Sequence, residues 1–138
     1  MLPETNGSSR VNLGDKIMYK STCTDCDEID ELESKIGKVP LIFRELAKQD
    51  PDMYEFVLKM DQFIWDDGAV SKKTKKLIAI AIAAALRDHH AVRAQIAGAA
   101  NLGVTSEEID EALRVTYLLA GMPAYVSGKV AQHDIIGE

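Results

Sequence analysis

Apolar residues recur along this chain at intervals of three and four from Asp25 onward. That spacing lines one face of a helix, whereas alternation would line a strand. Ile29, Leu32 and Ile36 share such a face, and Gly37 ends the run. "VPLIFRELAKQ" puts Pro40 at a helix start ahead of Leu41, Ile42 and Leu46. In "DPDMYEFVLKMDQFIWDDG", Asp50 is a predicted N-cap, Pro51 the first helical residue and Gly68 the stop. Tyr54, Val57, Leu58 and Ile64 form its apolar face. Ser71 caps "KKTKKLIAIAIAAALR", whose polar residues are confined to the first turn. That pattern predicts burial on nearly all sides, with Leu77 to Leu86 in the core. Asp88 is a natural N-cap for a helix from His89 to Leu102, where the small residues of "AQIAGAA" permit close helix approach. In "VTSEEIDEALRVTYLLAG", Thr105 and Glu108 make a capping box. Its core stripe is Ile109, Leu113, Thr116, Tyr117 and Ala120, and Gly121 terminates it. Pro123 opens a last helix through Gln132. The expected architecture is all-α, about six to seven helices. Residues 1–24 form an N-terminal tail and irregular segment, frayed as far as Ser9, and residues 25–138 form the helical domain.

Composition narrows the class. A chain of 138 residues suits one domain with a real core, and its hydrophobic fraction of 46% is ordinary for a globular protein. The net charge of −6 argues against nucleic acid as the main partner, because phosphate binding needs clustered cations. The basic run Lys72, Lys73, Lys75 and Lys76 reads as a solvated helix start rather than a phosphate site. Leu77 to Leu86 is too short to span a bilayer, and the N-terminus shows no apolar leader. The expectation is a cytoplasmic protein with no membrane partner.

Chemistry-bearing residues are sparse. Both cysteines, Cys23 and Cys26, stand in "STCTDCDEIDELESKIG" at the start of a helix-like run. Closely spaced cysteines without a secretion signal suggest a reducing compartment and chemistry rather than a staple. A helix N-terminus stabilises a thiolate, while Asp25, Asp27 and Glu28 oppose it. Three readings stay open for the pair. It is a redox dithiol, half of a zinc or iron–sulfur site completed by a second chain or by histidines, or neither. His89 and His90 fall in the first turn of their helix. In the neutral form an imidazole there can accept a proton or bind a metal. His133 reads as a surface residue.

The stretch "SKKTKKLIAIAIAAALRDHHAVRAQIAGAANLGVTSEEIDEALRVTYLLAGMPAYV" resembles the carboxymuconolactone decarboxylase family, which includes the AhpD-like alkylhydroperoxidases. The carrying pattern is a T-x-x-L-I-A helix, a break, a helix ending in A-x-x-x-G, then T-x-E-E-I-x-E-A-L and A-G-x-P-A. The resemblance implies an AhpD-like helical bundle and a homo-oligomer, as dimers, trimers or hexamers. It also implies a Cys-x-x-Cys-x-x-x-His site with a glutamate one helix earlier. Position by position, the first cysteine falls on Asp88, the second on Ala91, the histidine on Gln95 and the glutamate on Lys76. All four are replaced, so the family's thiol chemistry cannot run at these positions. The decarboxylase branch also lacks the cysteines but keeps a histidine where Gln95 stands, and an amide is no general acid or base near neutral pH.

Thiol chemistry is then left to Cys23 and Cys26. The leading expectation is a thiol–disulfide oxidoreductase, a disulfide reductase or peroxidase-like enzyme, acting on a small-molecule or protein disulfide. Cys23 attacks, Cys26 resolves, and His89 or His90 accepts a proton. The alternatives are a decarboxylase-like enzyme whose Arg87 or Arg93 holds a small carboxylated substrate, and a non-catalytic scaffold.

Overall fold

A computed structural model describes residues 25–137. The frayed tail and Cys23 lie outside the described residues. The chain divides after Glu31 into two units, the first of which contributes the opening turns of α1. The helices are α1 (Asp25–Ile36), α2 (Leu41–Gln49), α3 (Pro51–Trp65), α4 (Lys72–Ala85), α5 (His89–Asn101), α6 (Ser106–Ala120) and α7 (Met122–Ile136). Among the described residues there is no strand, as the three-and-four spacing predicts.

Local chemistry sets the helix starts. The Asp50 carboxylate accepts from Met53 N, Ser71 from Thr74 N and Asp88 from Ala91 N. Thr105 and Glu108 close the expected capping box. Each satisfies a backbone donor that the first turn leaves without a helical partner.

Helices α4, α5, α6 and α7 pack on one another around Ile80, Val92, Ile96, Ile109 and Leu113, all fully buried. Burying each such side chain contributes about 1.5–3 kcal/mol. Gln132 is buried with them, and its amide donates to Ser106 O and Oγ at 3.2 and 2.9 Å. Lys129 links its Oε1 to Asp110, 2.7 Å to each, and this hydrogen bond holds the Asp110 carboxyl below its ordinary value.

Several apolar positions differ from expectation. Ile78, Ile82 and Leu86 are exposed, so α4 is buried on one side only. Ile64, Tyr117 and Ala120 are also exposed, and α2 buries no residue. An all-apolar helix reads as enclosed, but these helices cover just one face of α4.

The close helix approach expected of the small residues in α5 occurs at Gly98. A Cβ there would overlap the Ile36 carbonyl oxygen at the end of α1. Asn101 Nδ2 donates to Gly37 O at 2.6 Å beside it. Gly98→Ala should therefore lower stability by roughly 2 kcal/mol, since the obstacle is backbone. Gly68→Ala, where an added Cβ meets nothing within 4 Å, should change it by less than about 0.5 kcal/mol. Urea unfolding of both variants checks this, and equal midpoints would show that the approach is not close.

Candidate functional site

The site begins at the reversal between α4 and α5. Arg87 N donates to Ala84 O and Asp88 N to Ala83 O, at 3.0 and 3.1 Å. This closing pattern needs a left-handed residue, and Arg87 supplies it at φ +55°. A side chain there costs about 1–2 kcal/mol relative to glycine. The turn delivers Asp88 as the cap of α5, so both helices run back alongside each other.

Between them lies a cleft of about 320 Å³. Its walls are Ala79, Ile82 and Ala83 from α4 and its C-cap Leu86, with the N-cap Asp88 and Ala91 and Gln95 from the first turns of α5. These last three occupy the positions to which the family resemblance carries the two thiols and the histidine. The reacting positions thus share one cleft, holding a carboxylate, a methyl group and an amide.

Behind Gln95 stands Lys76, at the position of the family's glutamate. Its Nζ donates to Gln95 Oε1 at 2.7 Å and lies 4.1 Å from the centre of the Trp65 ring. Only 2% of the residue is exposed. Gly98 makes room for it, since a Cβ there would sit 3.1 Å from Nζ. Loss of water pushes the Lys76 ammonium down to about 8, and the Asp61 carboxylate partly opposes this. Burial raises Asp61 above its ordinary value, and Lys76 pulls it back in part.

The contact also orients the amide. An ammonium can only donate, so the oxygen of Gln95 must face Lys76. The group that Gln95 can offer the cleft is then its NH₂, a donor. The result is a mostly apolar cleft with one polarised donor and a titratable amine directly behind it.

The neighbouring lysines have different tasks. Lys75 Nζ donates to Ile64 O and Asp66 O at 2.6 and 2.5 Å, closing the end of α3. Lys73 Nζ reaches Gly103 O at 3.3 Å. The expectation of a uniformly solvated basic run is thus corrected at Lys76. Helical spacing carried the signal: Lys76 falls on the same face as Ile80, Ala83 and Ala84, all buried.

The other predicted residues lie elsewhere. Cys26 falls in the first turn of α1, and with Cys23 outside the described residues the dithiol, zinc and iron–sulfur readings rest on sequence. His89 and His90 are exposed in the first turn of α5, and neither lines the cleft. His133 is exposed in the last turn of α7. Arg93 pairs with Asp134, and Arg87 is exposed at the turn, so neither arginine reaches the cleft. Among the described residues no cluster of three or more His, Cys, Asp or Glu could hold a metal ion. None of their helices is long and apolar enough to cross a membrane.

Lys76 makes stability depend on pH in a defined direction. Its proton is held less tightly in the folded chain, at about 8, than at the ordinary 10.5. Between those values the unfolded chain carries the extra proton, so stability rises with pH, by about 3 kcal/mol across the window. Below about pH 8 the buried charge imposes its full cost. Against Lys76→Met, the wild type should gain this increment between pH 8 and 10.5 in urea titrations. Parallel curves for the two proteins would mean the amine is not desolvated.

A family model for the carboxymuconolactone decarboxylase family matches residues 51–130. The chain is also similar to two uncharacterized proteins of Methanocaldococcus jannaschii. One is 41% identical over 76 residues, covering 54% of this chain and 73% of the relative. The other is 30% identical over 101 residues, covering 72% of this chain and 94% of the relative. A third relative, uncharacterized protein 4 in the cox locus of Paracoccus denitrificans, is 29% identical over 87 residues, or 63% of this chain and 78% of its own. The matched region spans α3 to α7, the cleft and Lys76 with its partners, and the chain belongs to the carboxymuconolactone decarboxylase family.

Proposed function

We propose that this protein is a thiol-independent acid–base enzyme of the decarboxylase kind, acting on a small carboxylated substrate in the α4–α5 cleft. The observation that carries the reading is the Lys76–Gln95 contact at the cleft's edge. The apolar walls suit a small organic body, and the Gln95 NH₂ suits its carbonyl oxygen. When the carbon–carbon bond to the carboxylate breaks, CO₂ leaves and the electron pair moves onto that carbonyl as an enolate. The Gln95 donor, polarised by the ammonium behind it, stabilises the developing oxyanion. Lys76 then gives its proton to the enolate carbon through one water and is reprotonated from solvent. An amine titrating near 8 is matched to proton transfer near neutral pH. The reading includes a cytoplasmic homo-oligomer.

A second reading keeps the disulfide reductase at Cys23 and Cys26. It rests on the Cys-x-x-Cys spacing in the sequence, with Cys26 falling within α1 (Asp25–Ile36).

Paired variants separate the two. On carboxymuconolactone and related lactone carboxylates, Lys76→Met should cut CO₂ release by roughly 10²–10⁴-fold. Gln95→Leu should cost about 10–100-fold through its lost donor. The wild-type rate should fall above about pH 8, where Lys76 loses the proton it donates. Cys23→Ser with Cys26→Ser should leave this activity intact. Loss of disulfide reduction in that double variant, with full activity in Lys76→Met, would reverse the order of the two readings.

A further inference from the structure

The α2–α3 hairpin holds apolar side chains that the other described residues leave uncovered. Leu41 and Ile42 on α2 are 79% and 67% exposed, and Phe56 and Phe63 on α3 are 63% and 81% exposed. α2 has nine residues, buries none, and packs on α3. The hairpin meets the bundle at the far end of α3, where Lys75 and Lys76 touch Ile64, Trp65 and Asp66. A nine-residue helix with no buried face is not held by its own hydrogen bonds in water. With Met53 and Met60, these residues expose on the order of 700 Å², close to the roughly 800 Å² one partner gives a standard interface.

A second uncovered face lies beside the site. Ile78, Ile82 and the C-cap Leu86, which keeps helical backbone angles, are spaced four apart, so they form one stripe along α4 and its end, and Leu86 is 74% exposed. Ile82 and Leu86 are also walls of the cleft. The cleft is therefore open along the side where excluding water would strengthen the Lys76 and Gln95 contacts to a substrate.

We propose that the α2–α3 hairpin of a second copy of this chain lies over Ile78, Ile82 and Leu86 and closes the cleft. A second copy brings the hairpin face to the α4 face and covers both by one repeated contact. Reciprocal exchange between two copies closes with two-fold symmetry and leaves no hairpin free to extend a fibre. Each substrate site is then roofed by apolar side chains of the other copy. This goes beyond the acid–base reading and uses only the position of the cleft. Assembly is measured by mass without substrate: a monomer would remove the homo-oligomer from that reading, while its acid–base chemistry is tested separately by CO₂ release in Lys76→Met.

The test uses the full chain and light scattering after size exclusion, with circular dichroism as the check on folding. The wild type should run as a dimer or a multiple of it. Phe63→Glu and Leu86→Lys should each dissociate alone, and mixing the two should restore the wild-type mass through their opposite charges. Leu118→Glu probes the competing seat, the exposed end of α6. A monomeric wild type would overturn the proposal. So would a Leu86→Lys protein that keeps its mass while Leu118→Glu loses it, or a folded mixed pair that stays dissociated. If the charged variants do not fold, Phe63→Cys and Leu86→Cys replace them in a Cys23→Ser, Cys26→Ser background. A short bis-maleimide should then join unlike copies into a covalent dimer, and the absence of any dimer would overturn the proposal.

Discussion

An ammonium group with almost no water around it is the constraint on which this site depends. Burying an unpaired charge costs far more than a single domain's net stability, so Lys76 is tenable only while its replacements for water are in place. They come from two helices flanking the lysine on α4: the Trp65 ring and Asp61 from α3, and Gln95 from α5. Gly98 adds the missing volume, and the same glycine lets the end of α1 approach α5. The site and the seating of these helices are therefore one arrangement. Disturbing any member leaves the charge exposed to an apolar interior.

The chemistry follows from what was exchanged. Where the resemblance carries a glutamate and a histidine, this chain has a lysine and a glutamine. A position that carries an anion there carries a cation here, and in this chain that cation donates a hydrogen bond to Gln95. The cleft side changes with it, from thiols to a carboxylate at Asp88 and a methyl at Ala91. Such a cleft offers one amide donor, with a titratable amine behind it. That combination is the basis of the acid–base reading proposed above, and the cleft lining holds no sulfur of its own.

The helix starts were legible because their causes are local, whereas the last helix runs on past the expected Gln132 to Ile136. Asp50, Ser71, Asp88 and Thr105 each satisfy a donor three residues on, a matter settled within one turn. The positions of the cleft were legible too, because Asp88, Ala91 and Gln95 lie on one face of one helix. The role of Lys76 was not. Among four basic residues in five positions it looks like its neighbours, yet Lys75 closes the end of α3 while Lys76 turns inward. The outer face of α4 misled in the opposite sense: Ile78, Ile82 and Leu86 have the composition of a core and the exposure of a surface.

By itself the sequence determined the all-α class, the helix starts, the family and the loss of its thiols. These depend on residue identity and on spacing within a turn or two. Only the tertiary structure decided which lysine is desolvated, which way the Gln95 amide faces and which apolar faces stay uncovered. Those depend on side chains 11 or 19 residues apart in the chain, and on the volume of a glycine, meeting at one point.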